Sequence, residues 1–370
     1  MSTLKFANKL HPNLIEAGQN CFYSPFSLVS ALGMVSRGSK GQTQKDFAKF
    51  LELPTNMDEQ TDLLKTIIAE TNKKKTDYEL VSANALWAQK DTEFRKDYAD
   101  SIKNDYQGVF EEVDYINAPK AAVDTINEWC KKNTKDKILE IINLSFIQKS
   151  TRLILTNAIY FKGKWIVQFD KKNTKDGNFS NESGTIQTPM MNLTDDFGYM
   201  ENDKFQALEM VYEGGELSMV ILLPLPSKNE SFTASIDNNL MESYEQAVDN
   251  LRECKVVVSI PKFKVETKYE LMDTFESMDS GLAFTSDADF TGIAVKEKLV
   301  ISNIIHKAFV ECDEEGTEAA AATAVGMMRC VSMRKPMPKK LFTADHPFVF
   351  FIRNRLNDNV LFCGRINNLK

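Results

Sequence analysis

Three histidines, His11, His306 and His346, are the side chains best suited to acid–base chemistry near neutral pH. A hydrolase would pair such a base with an activated nucleophile. The sequence has no Gly-x-Ser-x-Gly turn, no His-Glu-x-x-His, no Cys-x-x-Cys and no Gly-x-x-x-x-Gly-Lys phosphate loop. His306 ends an apolar run that starts at Ile301, where a buried and hydrogen-bonded histidine is the usual case. We therefore predict no enzyme activity, no catalytic residue, no cofactor and no metal site.

A second stretch of unusual chemistry covers residues 311–333, between apolar runs at 299–310 and 348–351. Its four consecutive alanines favour a helix by intrinsic propensity, but the segment has no apolar stripe for a helix to bury. Read with period two, it is a strand with small, uncharged side chains on one face. Such a strand could slide between two others, and Gly316 suits a hinge at its start. From composition alone, a solvated loop or a short helix is the alternative.

Composition indicates a large globular protein that does not bind nucleic acid. The chain has 370 residues, of which 43% are hydrophobic and 26% charged, and no Pro/Gly/Ser-rich linker divides it. We therefore predict a single domain spanning residues 1–370. The net charge of −7 argues against a nucleic-acid partner. No apolar run approaches the length needed to span a membrane, so we expect no membrane partner either.

The N-terminal residues and the cysteines indicate a reducing compartment. Residues 1–8 lack the apolar core and the cleavage site of a signal peptide. Six cysteines are scattered with no paired spacing, which is typical of free thiols. We predict a cytoplasmic protein, and release without a signal peptide stays an open alternative.

Periodicity predicts helices early in the chain and strands later. The predicted helices cover residues 3–17, 24–36, 43–51, 57–70, 95–106, 121–132 and 269–278. The predicted strands cover residues 78–87, 152–161, 216–223, 256–265, 349–352 and 359–365. The strand at 152–161 is apolar on both faces and should be central and buried. This order predicts an α+β fold rather than an alternating α/β one.

The sequence resembles a known family at two specific places. Residues 314–323, Glu-Glu-Gly-Thr-Glu-Ala-Ala-Ala-Ala-Thr, resemble the reactive-loop hinge of inhibitory serpins, and residues 343–352 resemble the family's C-terminal signature. The resemblance extends over essentially the whole chain. It is closest to the ovalbumin-like, mostly intracellular branch, which includes leukocyte elastase inhibitor. It implies a monomer with three β-sheets, eight or nine helices and an exposed reactive-centre loop at about residues 314–335.

The resemblance also implies a function. Inhibitory serpins are suicide substrates of serine proteases: the protease cleaves the loop, and the loop inserts into the main sheet before the acyl-enzyme is hydrolysed. Non-inhibitory relatives, which act in storage, transport or as chaperones, tend to have bulky or charged residues in this hinge. In this chain the inward face of the inserting strand is small and uncharged, with Thr317, Ala319, Ala321 and Thr323. The matching hinge residues are Glu314, Gly316, Thr317, Glu318, Ala319, Ala320, Ala321, Ala322 and Thr323.

Two polar clusters are implied by the same resemblance. The first, here called the sheet-opening cluster, controls the separation of strands in the main sheet and comprises Ser24, Ser27, Asn157 and His306. The second, the insertion-point cluster, lies where the loop enters the sheet and comprises Trp165, Lys262 and Glu314. Simple core packing would also explain the tryptophan, and two unrelated surface charges would explain the other pair.

The resemblance places the scissile bond near Arg329. Family spacing puts the reactive residue sixteen positions after the hinge glutamate, at Cys330, whereas Arg329 has the side chain that fits a trypsin-type pocket. We therefore predict two overlapping sites: trypsin-like proteases cut before Cys330, and elastase-like proteases cut between Cys330 and Val331. Attack by chymotrypsin-like proteases after Met327 or Met328 is a third alternative.

Overall fold

The computed structural model describes residues 3–73, 75–225, 232–294, 298–317 and 338–369. The α-helices are α1 (Thr3–Leu14), α2 (Pro25–Arg37), α3 (Gly41–Phe50), α4 (Met57–Thr71), α5 (Lys96–Asp105), α6 (Pro119–Asn133), α7 (Ala234–Asp237), α8 (Leu240–Asn250) and α9 (Met272–Ser277). The strands are β1 (Cys21–Tyr23), β2 (Tyr78–Gln89), β3 (Val109–Val113), β4 (Leu153–Lys164), β5 (Lys175–Asn181), β6 (Gly184–Glu201), β7 (Phe205–Val211), β8 (Leu217–Pro224), β9 (Arg252–Pro261), β10 (Phe263–Glu270), β11 (Ile301–Cys312), β12 (Gly316–Thr317), β13 (Lys340–Thr343), β14 (Phe348–Asn354) and β15 (Val360–Ile366).

Helix α2 begins where the sequence predicts. Ser24 is its N-cap, and its hydroxyl accepts a hydrogen bond of 3.0 Å from the amide of Ser27. Pro25 occupies the first turn, where the missing N–H costs nothing. Every residue of this helix except Arg37 is buried, so α2 is a central helix of the core. The cap thereby fixes two members of the predicted sheet-opening cluster deep inside the molecule.

The smaller sheet has six strands in the order β10-β11-β12-β4-β2-β3. Strand β4 lies at its centre, pairs antiparallel with β2 and is buried along nearly its whole length, as its apolar sequence predicts. Over most of its length β4 also pairs directly with β11, and this pairing is parallel. The two-residue strand β12 lies between β4 and β11 at one end only.

The larger sheet has nine strands. Its main path is β1-β15-β14-β8-β7-β6-β9-β13, and β5 pairs with β6 off that path. Where three sheets were expected, the described strands therefore form two hydrogen-bonded sheets. The reason is the 18-residue strand β6, which pairs with β5 at one end, β7 at the other and β9 between, so that two smaller sheets become continuous.

One predicted helix begins later than the sequence indicates. Residues 269–278 were expected to be helical, but Tyr269 and Glu270 complete β10, where they pair with His306 and Ile305 of β11. Only Met272–Ser277 forms a helix. The partner strand supplies hydrogen bonds that outweigh the local helical preference. This pairing places β10 beside His306 and so helps to bury it.

Candidate functional site

The four residues of the sheet-opening cluster meet at the junction of α2 with β4 and β11. His306 of β11 and Asn157 of β4 are direct partners in the parallel pairing. The ring nitrogen Nδ1 of His306 contacts Oδ1 of Asn157, and Nδ2 of Asn157 contacts the Ser27 hydroxyl. The amide of Ser24 donates a hydrogen bond of 3.1 Å to Nε2 of His306. All four side chains are fully buried, so the cluster links the helix to both strands inside the core.

The contacts of His306 fix its protonation state. Since Nε2 accepts from a backbone amide, the neutral ring carries its hydrogen on Nδ1 and donates it to Asn157. Burial disfavours the charged imidazolium and lowers the pKa of His306 to about 3. His306 is therefore a neutral hydrogen-bond bridge at neutral pH.

Sequence reasoning missed two members of this network, Ser82 and Asn84 of β2. Asn84 is the direct cross-strand partner of Asn157 and contacts its Nδ2 through Oδ1. The hydroxyl of Ser82 lies 2.7 Å from that of Ser27. The available signal was a pair of polar residues inside an otherwise apolar strand, but their partners depend on register, which the sequence does not reveal.

The lowered pKa of His306 predicts that this residue contributes less to the stability of the native state in mild acid, whereas the raised pKa of His11 acts in the opposite direction. In the unfolded chain a histidine titrates near 6.5, so between about pH 6.5 and 3 only the unfolded state binds this proton. Lowering the pH from 7.5 to 5.5 should therefore cost about 1.4 kcal/mol of unfolding free energy through this residue. Denaturant titration at both pH values would measure the loss. His306→Asn, which cannot titrate, should lose about that much less, and an equal loss in both proteins would contradict the prediction.

The insertion-point cluster surrounds the segment that leads into β12. Trp165 is nearly fully buried, and its ring nitrogen donates a hydrogen bond of 3.1 Å to the carbonyl of Asp313. Its backbone amide donates to the carbonyl of Glu315 at 2.9 Å, and the amide of Phe169 donates to that of Glu314 at 2.9 Å. The segment after β4 thus holds three successive carbonyl groups at the foot of the loop.

Glu314 and Lys262 are brought together. Oε2 of Glu314 lies 2.9 Å from Nζ of Lys262, as an ion pair without hydrogen-bond alignment, and Oε1 accepts a hydrogen bond of 2.8 Å from Thr174. Burial acts to raise the pKa of the Glu314 carboxyl, but the contacts with Lys262 and Thr174 outweigh it and lower this pKa. The neighbouring Glu315 pairs with Lys171 at 2.7 Å. Thr174 and Lys171 were not predicted, since nothing in their local sequence marks them.

Two of the hinge residues, Gly316 and Thr317, already lie within the sheet. Gly316 pairs with Lys164 of β4, while Thr317 pairs with Gly163 on one side and Cys312 of β11 on the other. Glycine is required at 316 because a β-carbon there would lie 2.0 Å from the carbonyl oxygen of Gly163. These pairings separate the ends of β4 and β11 by one short strand.

The side chain of Thr317 is fully buried and has a specific partner. Its hydroxyl lies 2.7 Å from that of Tyr212, and the Tyr212 ring stacks on Trp165 with 4.4 Å between ring centres. Tyr212 was not predicted as a site residue, because it comes from the β7–β8 connection and reaches the hinge only through the tertiary fold. The stack joins the hinge hydroxyl to the insertion-point cluster.

Several predicted residues lie outside the described part of the chain. These are the later hinge residues Glu318, Ala319, Ala320, Ala321, Ala322 and Thr323, the predicted cleavage-site residues Arg329, Cys330 and Val331, and the alternative positions Met327 and Met328. Among the described residues, no group of three or more His, Cys, Asp or Glu side chains is arranged to hold a metal ion. No helix in those residues is both long and apolar enough to cross a lipid bilayer.

Comparison with known proteins identifies the family. The family model described as serpin (serine protease inhibitor) matches residues 1–369. The chain belongs to the serpin family. A serpin-like protein of Thermococcus kodakarensis is 39% identical over 99% of this chain and 84% of its own length. Leukocyte elastase inhibitor of Sus scrofa is 38% identical over 94% of this chain and 93% of its own length.

The fold is that of solved serpins. The solved structure of human thyroxine-binding globulin has a TM-score of 0.88 and 26% identity, with 100% of this chain and 97% of that chain covered. The predicted α+β serpin fold and the resemblance to the branch that includes leukocyte elastase inhibitor are thus confirmed. The family contains protease inhibitors and also the thyroxine-binding protein, so membership alone does not choose between inhibitor and carrier.

Proposed function

We propose that this serpin is a suicide-substrate inhibitor of serine proteases. The protease serine attacks the carbonyl of Arg329 or Cys330, the peptide bond breaks, and the loop stays joined to the enzyme as an acyl ester. The freed loop then extends β12 between β4 and β11 and carries the protease with it. Insertion distorts the protease before water can hydrolyse the ester. The driving force is the energy difference between a kinetically trapped native state and the inserted state.

The observation that carries the proposal is the buried position of Thr317 between β4 and β11. A strand that starts there continues with a face of small side chains, which can be buried without an uncompensated charge. The sheet-opening cluster lies along the same pair of strands. Its role is to hold those strands together until the loop is cut.

The proposed partners are trypsin-like proteases, with elastase-like and chymotrypsin-like ones as further candidates. We propose that the protein is a cytoplasmic, single-domain monomer that binds neither nucleic acid nor membranes. The alternative is a non-inhibitory serpin that acts in storage, transport or as a chaperone. Such a protein would be cut by the protease without trapping it.

The inhibitor proposal predicts a covalent complex with trypsin that survives denaturing electrophoresis. We expect a band near the summed mass of the two proteins and loss of trypsin activity at inhibitor excess, because Arg329 fits the trypsin pocket and the hinge permits insertion. Trypsin treated with an active-site serine reagent is the control and should form no band. Cleavage of the loop with trypsin remaining fully active would contradict the inhibitor proposal and favour the alternative.

A further prediction is that two overlapping bonds serve two classes of protease. Mass spectrometry of the released C-terminal fragment should find Cys330 as its first residue after trypsin and Val331 after elastase. Arg329→Ala should abolish the trypsin reaction and largely spare the elastase reaction, since the small pocket of elastase does not use the guanidinium. Arg334→Ala removes a charge five residues away and is the matched control. If Arg329→Ala abolishes both reactions, a single site serves both proteases.

A further inference from the structure

A cavity of about 400 Å³ is lined by Trp165 and by residues of β6 and β7. Its apolar wall is formed by Trp165, Val167, Phe197, Met210, Val211 and Leu251. Ile166 also lines the cavity, and 53% of its surface is exposed. The volume falls in the range of about 300–1,000 Å³ that is usual for small-molecule sites, and most of the lining is apolar, as in such sites.

The carboxylate of Glu209 also lines the cavity and is its most buried charged group. Only 7% of Glu209 is exposed. Its Oε1 atom accepts from the Ser218 hydroxyl at 2.7 Å and pairs with Arg353 and Arg355 at 3.1 and 3.3 Å. These contacts all use the same oxygen and hold the carboxylate in one orientation.

The other carboxylate oxygen lies on the side of Gly198, which also lines the cavity. A β-carbon added at Gly198 would lie 3.3 Å from Oε2 of Glu209 and 3.2 Å from its Cβ. The missing side chain at 198 therefore leaves room beside Oε2 for an atom of a bound molecule. A carboxylate oxygen in that place can only accept a hydrogen bond, so the bound atom must be a donor.

The orientation of Glu209 disfavours an anion beside Oε2. The carboxylates of Asp196, Glu209 and Glu253 line the cavity together with the guanidinium of Arg355. Arg353 and Arg355 compensate Glu209, and Lys255 lies 3.6 Å from Asp196, so an uncharged donor is accepted as well as a cation. A ligand carboxylate beside Oε2 would instead bring two negatively charged oxygens together.

We propose that this cavity binds a small ring-bearing molecule whose hydroxyl or protonated amine donates to Oε2 of Glu209. The ring lies against the apolar wall, and Ile166 covers it at the entrance. None of the described residues that line the cavity belongs to the loop at residues 314–335, although Trp165 also belongs to the insertion-point cluster.

Isothermal titration of the whole protein with three naphthalene compounds tests the proposal. The probes share one ring system and differ in the polar group: 2-naphthol, 2-naphthylmethylamine and 2-naphthoate. We expect the naphthol and the amine to bind with one-to-one stoichiometry and the naphthoate to give no measurable heat. Binding of all three with similar affinity would overturn the charge argument, and binding of none would overturn the site.

Two variants locate the binding. Gly198→Ala fills the space beside Oε2, and Ile166→Ser removes apolar contact at the entrance. Each should weaken binding of the naphthol by roughly three- to tenfold or more. Leu139→Ser is the matched control, because Leu139 is 61% exposed and does not line the cavity.

Ile166→Ser tests the location of the bound molecule independently of Gly198→Ala. Unchanged affinity in Ile166→Ser, with thermal unfolding like that of the wild type, would place the bound molecule elsewhere and overturn the proposal, even if Gly198→Ala fails to fold. Formation of the trypsin complex should be the same in Ile166→Ser and in the wild type. Failure of the inhibitor proposal would therefore leave this result unaffected.

Discussion

Thr317→Arg is expected to convert the inhibitor into an ordinary substrate. The threonine side chain is fully buried between β4 and β11, next to Tyr212 and Trp165. An arginine there would place a guanidinium where its charge has no partner, at a cost of several kcal/mol. The substitution would push β12 out from between β4 and β11. Insertion would then have to begin without that strand and would be slower, while hydrolysis of the acyl-enzyme would keep its rate. The number of inhibitor molecules consumed per trapped protease should rise by about tenfold or more.

The measurement is a titration of trypsin with each variant, read as residual activity. Thr317→Ser is the matched control, because it keeps both the small volume and the hydroxyl that contacts Tyr212. It should inhibit with nearly the stoichiometry of the wild type. An unchanged stoichiometry in Thr317→Arg would exclude loop insertion as the trapping step.

Cleavage of the loop should raise the melting temperature of the protein substantially. At present β4 and β11 share one ladder over the pairs from Ile301–Leu153 to Phe309–Tyr160. An inserted strand of about ten residues would replace this ladder with two, which adds about ten hydrogen bonds at about 1 kcal/mol each. For a chain of 370 residues we expect an increase in Tm of about 13 °C.

Calorimetry before and after limited proteolysis would measure this shift. Cleaved Thr317→Arg provides the internal control: its loop is cut in the same way but should insert poorly, so its Tm should rise much less. A wild-type protein that melts at the same or a lower temperature after cleavage would contradict the idea of a kinetically trapped native state.

Elements with strong periodicity could be predicted from the sequence. The apolar run at 152–161 became the central strand β4, and Ser24 was recognised as the cap of α2 from its position before Pro25. Strands β5, β6 and β7 were not predicted. Much of β5 and β6 is exposed or half-buried, so these strands show little of the apolar pattern on which the prediction relied.

The candidate site could be predicted in part, by resemblance to the family. That resemblance supplied His306, Asn157 and Trp165, but not Asn84 or Tyr212. Asn84 joins the network because register places it opposite Asn157, and Tyr212 because a strand connection reaches the hinge. Both contacts arise from long-range pairing, which local sequence patterns do not encode.

The short strand β12 gives the opening of the sheet a direction. Because β12 already lies between β4 and β11 at one end, the proposed insertion would separate these strands from that end, breaking one residue pair of the β4–β11 ladder at a time. The first residue pair to separate would be Phe309–Tyr160, and the pair His306–Asn157 lies three pairs further along the ladder. The first pairs would lose only backbone hydrogen bonds between β4 and β11. Further separation would also have to break the buried side-chain contacts around His306, and would be slower there. The rate at which a protease is trapped would thus be set by the rate at which the contacts of the sheet-opening cluster break.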